Sequence, residues 1–319
     1  MNTSKKLTNV ALFAKTAKRL GLTVTKIPTA TNKTLFSIAS KDKFYFGSSK
    51  APGFYPESRR WGAHLTGSKQ LTQKILKKLG YKTIRSAFIM PRLHTSFQSF
   101  FKQAENAAKK FPVILKPDDG LDGRGIKYIA NKAILKREMK TFYQNGTTVI
   151  LQPIISDSEY RILIVNGNVE LVHSKDFRSI TGDGKTSIEM LLKEIPAGYQ
   201  NTDFTSMQYE LTGHTLNTIL PKGDHFPYHI VKDSSKTHYQ FEKFPKNLIT
   251  WAKKLTKDLS IETYAIDLFV GTDLSDTDNY TIIELNSNPG LVHYYYSCND
   301  KVQPDRICEK VLKKYFNIK

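Results

Sequence analysis

Thr281-Ile282-Ile283-Glu284-Leu285-Asn286-Ser287-Asn288-Pro289-Gly290, close to the C-terminus, decides how the chain is read. The apolar, β-branched run predicts a strand, and Asn288-Pro289-Gly290 predicts the turn that ends it. Side chains two apart on a strand leave the same face, so Glu284 and Asn286 point together. Asp267, from a neighbouring strand, can add a third oxygen. A few hard oxygen ligands, completed by waters and phosphate oxygens, is how Mg²⁺ is usually held at a phosphoryl-transfer centre. An acidic strand end beside a turn would read the same way, so this stretch alone leaves the chemistry open.

A second signal lies upstream. Phe111-Pro112-Val113-Ile114-Leu115-Lys116-Pro117 reads as a buried strand ending in a lysine. It runs into Asp118-Asp119-Gly120-Leu121-Asp122-Gly123-Arg124-Gly125, and Ile126 to Ile129 reads as a second short strand. Glycines let backbone N–H groups approach an anion closely, so such a hairpin can close over phosphates. It is not a P-loop, because no Gly-Lys-Ser/Thr follows and no helix starts there. A glycine-rich surface turn is the plainer alternative.

Taken in this order and spacing, the two pieces resemble the ATP-grasp superfamily. Val149-Ile-Leu-Gln152-Pro-Ile-Ile155 looks like its hinge strand, and Glu159-Tyr160-Arg161 opens what looks like the next. An Asn166-Gly167 hairpin follows, then Thr181-Gly-Asp-Gly184-Lys-Thr-Ser-Ile188. That phrase is similar to cyanophycin synthetases and to the glutathione-synthetase half of bifunctional glutathione enzymes, with ribosomal-protein glutamate ligases more distant. The resemblance covers roughly residues 66 to 295 with a gap. It implies an α/β ATP-grasp fold with α+β lobes behind a small N-terminal α/β domain. The expected division is 1–62 for that domain, 63–146 for a small lobe with the glycine-rich lid, and 147–319 for a large lobe with the metal and acceptor sites.

The resemblance also implies roles. ATP would be held by Lys69, Lys116, Gly123, Arg124, Gly125, Gln152, Ile154, Ile155 and Glu159. Lys116 would meet phosphates, main-chain groups at Ile154 and Ile155 the adenine, and Glu159 the ribose. Gln152 stands where many relatives carry an acidic residue, a departure at the hinge. Asp267, Glu284 and Asn286 would hold Mg²⁺, with Mn²⁺ as the alternative. Arg161 would oppose the acyl phosphate or γ-phosphate, with Lys175 near the phosphates. Arg178 replaces a small residue of the cyanophycin-type pattern and completes the catalytic candidates. The implied activity is an ATP- and Mg²⁺-dependent carboxylate–amine ligase working through an acyl phosphate, with an amino acid or acidic peptide as substrate. Two alternatives are an ATP-grasp-type kinase acting on a polyanionic small molecule and a non-catalytic nucleotide-binding protein.

Residues 189–245 depart from the family pattern, and Asp233-Ser-Ser-Lys236-Thr-His238-Tyr stands where relatives have an asparagine- and glycine-rich acceptor segment. His214, His225, His229 and His238 gather there, but Pro227 between His225 and His229 argues against a shared helix face and a zinc site. Asp273, Ser275, Thr277 and Glu284 mimic a calcium-loop register, yet Asp278 stands where that loop needs glycine. Tyr294, Tyr295 and Tyr296 either line a substrate pocket or pack inside.

Composition fits a soluble enzyme. The chain has 319 residues, enough for two or three lobes, and 48 Lys and Arg against 29 Asp and Glu, a net charge of +19. That balance favours an anionic partner and leaves nucleic acid open. Cys298 and Cys308 show no disulfide or metal spacing. No signal-peptide core precedes Lys15, and no run reaches the roughly 20 apolar residues of a membrane span. A cytoplasmic protein is expected, with homo-oligomerisation left open.

Overall fold

The computed structural model of the chain describes residues 8–27, 35–48, 61–118, 120, 123, 125–195, 202–233, 239–240, 242–297 and 302–319. Residues 49–60, Arg124 and residues 234–238 lie outside them. Contacts divide the chain into two units: Met1–Thr83, Asp157–Ser174 and Thr237–Lys319 form unit 1, and Ile84–Ser156 with Lys175–Lys236 form unit 2.

In chain order the strands are β1 (Thr23–Ile27), β2 (Leu35–Ala39), β3 (Phe44–Ser48), β4 (Ala87–Ile89), β5 (Val113–Pro117), β6 (Lys127–Ile129), β7 (Val149–Pro153), β8 (Ser158–Val165), β9 (Asn168–Thr181), β10 (His225–Asp233), β11 (Tyr239–Gln240), β12 (Tyr264–Val270) and β13 (Tyr280–Asn286). The helices are α1 (Asn9–Arg19), α2 (Trp61–Thr66), α3 (Lys69–Lys78), α4 (Phe97–Ala108), α5 (Lys132–Gln144), α6 (Ile188–Lys193), α7 (Thr202–Thr212), α8 (Lys246–Leu259), α9 (Val292–Ser297) and α10 (Val302–Phe316). None is long and apolar enough to cross a membrane.

In unit 1, β8, β12 and β13 are consecutive antiparallel neighbours, and the first half of β9 lies beyond β8. Alternation gives this sheet two different faces. Ile162, Ile164, Ile266, Leu268 and Leu285 turn toward α8, which buries Leu248, Ala252, Leu255 and Leu259 at helical spacing. The indole Nε1 of Trp61 closes the end of α8 by donating to the Leu259 carbonyl at 2.7 Å. On the opposite face Leu163, Val165 and Ala265 pack with Phe13 of α1 and Ile307 and Val311 of α10. Helix α1 begins as its sequence dictates, with Thr8 Oγ1 accepting from the Ala11 N–H at 3.2 Å. Each fully buried aliphatic or aromatic side chain contributes about 1.5–3 kcal/mol, so these two clusters hold the sheet.

In unit 2 the sheet order is β4-β7-β5-β6. Val113, Leu115, Val149 and Leu151 face α4 and α5, where Phe100, Ala104, Leu135 and Met139 cover them. Ile114, Lys116, Ile150 and Gln152 alternate onto the other face. The second half of β9 pairs with β10. There Ile180, Phe226 and Tyr228 form a smaller core with Ile188 and Leu220, and Tyr209 of α7 stacks on Phe226 at 5.0 Å.

The mixed α/β architecture agrees with the sequence reading. Ser96 caps helix α4, accepting from the Ser99 N–H at 3.3 Å, and Phe100 and Ala104 share one of its faces. Helix α7 shows little one-sided patterning in its sequence, and packing against β10 holds it.

Ile266 is fully buried at the centre of the unit 1 sheet. Ile266→Ala is expected to lower unfolding stability by about 2–5 kcal/mol, while Lys253→Ala on the exposed side of α8 stays within about 0.5 kcal/mol. Urea titration of both variants checks this.

Candidate functional site

The register of unit 1 assembles a row of charges. Asp267 on β12 lies opposite Arg161 on β8 and opposite Glu284 on β13. Directly opposed residues share a face, so all three leave the sheet together. Arg161 donates through Nε to Asp267 Oδ1 at 2.5 Å and through Nη2 to Oδ2 at 2.6 Å, a two-pronged pair. The Asp267 side chain is 3% exposed and that of Arg161 19%. Burial alone would lower the Arg161 pKa, but Asp267, with lesser help from Tyr294 and Glu284, carries it well above the ordinary guanidinium value. The pair neutralises itself, which leaves Glu284 as the net negative charge of the row.

A register shift between Asp267 and Leu268 leaves Ile283 as an extra residue on β13. Such bulges bend a strand and re-aim the neighbouring side chain. Glu284 is the residue that follows the bulge.

The end of β13 is braced from several sides. Asn286 Oδ1 accepts from the Asn288 N–H at 2.9 Å, which shapes the turn toward Pro289. The hydroxyls of Thr66 and Ser287 meet at 2.8 Å, tying α2 to the strand end. Asn9, the first residue of α1, accepts at Oδ1 from the N–H groups of Leu291 and Val292 at 2.9 and 3.2 Å. Lys69 opens α3, and Glu159 stands two residues before Arg161, opposite Phe269. Of the tyrosines that followed, Tyr294 belongs to the core: it is fully buried, with His173 Nε2 3.3 Å from its hydroxyl.

Two carboxylates and an amide make an all-oxygen donor set, the chemistry that suits Mg²⁺ or Mn²⁺ and not a soft metal. Both Asp267 oxygens already accept from Arg161, but each keeps a second lone pair that a cation can share. Among the described residues no group of three or more His, Cys, Asp or Glu forms a metal-binding cluster, so the third ligand must be Asn286 or come from elsewhere. The residues present fit a lightly held hard cation.

Unit 2 carries the other candidates. Lys116 is 8% exposed on β5, opposite Ile150. Gln152 is 4% exposed, and its Nε2 donates to Ser86 Oγ at 2.7 Å. Ile154 and Ile155 follow β7 in open backbone. Gly123 and Gly125 both have positive φ, +74° and +75°. A Cβ on Gly123 would lie 2.9 Å from both Val231 methyl carbons, and one on Gly125 would lie 3.1 Å from the Pro117 ring. The loop therefore sits against the neighbouring chain at these points, and only glycine fits them. Lys175 and Arg178 lie in the second half of β9, with Arg178 opposite His229 at an irregular stretch of β10.

Val231 escaped the sequence reading, because no local pattern pairs residue 231 with residue 123. The Val231 N–H donates to His229 Nδ1 at 2.9 Å. Burial, reinforced by Arg178 and Lys127, holds the His229 pKa down to about 4. The imidazole is thus neutral at pH 7, and His225 and His229 lie along one strand rather than on a helix face.

No protein-family model matches the chain. Among curated proteins it is 26% identical over 253 residues to the cyanophycin synthetase of Trichormus variabilis, covering 72% of this chain and 27% of that protein. It is 24% identical over 203 residues to the glutathione biosynthesis bifunctional protein of Listeria innocua, covering 56% of this chain and 26% of that one. The chain thus spans about a quarter of the length of these relatives. A bifunctional glutathione synthetase from Pasteurella multocida superposes with a TM-score of 0.54 over 97% of this chain and 44% of its own, at 16% identity. The fold is the ATP-grasp fold. The resemblance to cyanophycin synthetases and bifunctional glutathione enzymes, read first from short motifs, extends over most of the chain.

Removing Asp267 strands a buried guanidinium. Asp267→Ala is expected to cost about 3–5 kcal/mol of stability, whereas Glu284→Gln, at a partly exposed strand end, costs under about 1 kcal/mol. Thermal and urea unfolding of the two variants separates them.

His229 binds a proton less readily folded, near 4, than unfolded, near its ordinary 6.5. Its contribution to stability is therefore complete above pH 6.5 and is lost as pH falls toward 4, by about 2 kcal/mol between pH 7 and 5. His229→Gln is expected to flatten that part of the stability–pH curve, measured by urea midpoints across the window.

Proposed function

We propose that the chain is an ATP-dependent ligase that joins a carboxylate to an amine through an acyl phosphate. The observation that carries this reading is the row of Arg161, Asp267 and Glu284 across three strands. It offers a fixed cation beside a net negative charge, which suits a reaction between phosphates, a divalent metal and a carboxylate. Sequence similarity to cyanophycin and glutathione synthetases supports the same chemistry.

A carboxylate is a poor electrophile. Transfer of the γ-phosphoryl group of ATP to a carboxylate oxygen forms one P–O bond as the bond to ADP breaks. The amine nitrogen then attacks the acyl carbon, a C–N bond forms, inorganic phosphate departs, and the amine releases a proton. Arg161, pre-oriented by Asp267, opposes negative charge on the acyl phosphate or γ-phosphate. In unit 2, Lys116 and the N–H groups around Gly123 and Gly125 contact phosphates, while the main chain at Ile154 and Ile155 meets adenine. Gln152 is turned to Ser86, so adenine recognition at this position rests on the main chain. Glu159 takes the ribose, and Lys69, Lys175 and Arg178 supply further positive charge. Asp267, Glu284 and Asn286 hold Mg²⁺, which neutralises phosphate charge when bound. The rest of the protein's work is positioning. An amino acid or acidic peptide is the substrate class.

Phosphate release is measured with ATP and Mg²⁺ over pairs of amino acids and acidic peptides. Release is expected only when acid and amine are both present, and Glu284→Ala is expected to reduce it at least about 100-fold with the fold intact. Near-normal turnover by Glu284→Ala overturns the metal assignment. Phosphorylated product without phosphate release identifies a kinase instead. Amide exchange over residues 118–126 is expected to slow with ATP and Mg²⁺; unchanged exchange at saturation removes the loop from the phosphate site.

A further inference from the structure

Unit 2 holds a cavity of about 480 Å³ whose charged lining residues the proposed nucleotide contacts do not use. It opens where β4 begins, β7 ends and α4 stops. Val113 and Leu151 from the helix-covered face and Gln152 from the face that carries Lys116 all line it, so it lies at the end of the sheet. Its volume is that of an ordinary small-molecule site.

The lining is unusual in charge. Arg85, Lys109 and Lys110 all border it, and among the described residues no carboxylate does. Among the described residues none of these three side chains has an ion pair, although the unit contains acidic residues paired elsewhere, such as Glu138 and Asp203 with Arg137. Three like charges around one concavity repel one another and focus a positive potential into it. That arrangement costs stability unless an anion offsets it.

The backbone points the same way. Lys109 has φ 45° and ψ −52°, and the Lys110 N–H donates to the Ala108 carbonyl. This is a γ-turn of the rare, strained hand, centred on a residue that is not glycine. Such strain persists where the surroundings enforce it, and it concentrates at functional sites. Here it follows the end of α4 directly and sets two consecutive lysines at the mouth. Below them Ala87, Ala107 and Ala108 keep the floor small and apolar. Gln152 and Ser86, bonded to each other, add polar groups to the wall.

We propose that this cavity binds a small organic polyanion, a molecule with a compact body and two or more phosphate or carboxylate charges. None of its charged residues belongs to the proposed nucleotide or metal sets, although Gln152 of its wall is one of the nucleotide candidates.

Calorimetry of the full chain with inorganic pyrophosphate and with citrate tests this. Saturable binding of at least one probe is expected in the wild type and in Lys116→Met, which disables the proposed phosphate contact. It is expected to weaken at least about tenfold in Arg85→Ser/Lys109→Gly/Lys110→Ser; glycine suits the positive φ at 109. A control, Lys246→Ser/Lys253→Ser/Lys257→Ser on α8, removes the same charge elsewhere and is expected to bind normally. The tighter probe names the charged group. Equal weakening in both triple variants means that only the overall charge of the chain is felt, and overturns the site. Loss of binding in Lys116→Met, or no saturable binding by either probe, overturns it as well.

Discussion

The two-pronged bond between Arg161 and Asp267 is the constraint on which unit 1 turns. It joins β8 to β12 at the level where the apolar interior gives way to polar side chains. Toward one end of the sheet the same face carries Leu163, Val165 and Ala265, packed under α1 and α10. At Arg161 and Asp267 that face becomes charged. Two buried charges are tolerable there because each satisfies the other, and because Arg161 presents two parallel donors to two acceptors. The register that makes this pair also sets Glu284 alongside, so structural support and the candidate site rest on the same alignment of three strands.

Elements far apart in the chain converge on the end of β13. Asn9 from the first helix, Thr66 from α2 and the turn bond of Asn286 all hold the few residues that follow Glu284. A strand end left to itself would fray, and a side chain on it would wander. The N-terminal helix therefore contributes more to the site than its distance in sequence suggests: by accepting from two consecutive N–H groups after Gly290, it fixes the chain's exit from the strand.

Unit 2 shows a different device. The glycine-rich loop is held from the side by Val231, whose N–H is in turn held by the neutral imidazole of His229. Gly123 leaves no room for a side chain against those methyl groups. The stretch carrying His229 and Val231 is the part of the chain that departs from the family pattern, and it packs against the second strand of the hairpin as well: Phe204 of α7 meets Tyr128 at 5.9 Å. Divergent sequence here still answers to the loop it supports.

Periodicity and composition made much of the fold legible. The β-branched run ending at Glu284-Leu285-Asn286 is a strand because those residues favour one, and its alternation already aims Glu284 and Asn286 together. Helices α1, α3, α5 and α8 announce themselves through caps and apolar spacing. The glycines at 123 and 125 already mark a stretch where the backbone can come close to a partner. What only the tertiary structure decided is which residues meet across these elements. Nothing local states that Asp267 faces Arg161 rather than a bare cation, that Gln152 turns to Ser86, or that Tyr294 is buried against His173. Three cations from two separate segments, Arg85 and Lys109-Lys110, become one cavity only when β4 and the end of α4 are brought together. Local sequence sets the conformations a segment prefers, while register and packing, which depend on residues a hundred positions away, choose the partners of each charged side chain.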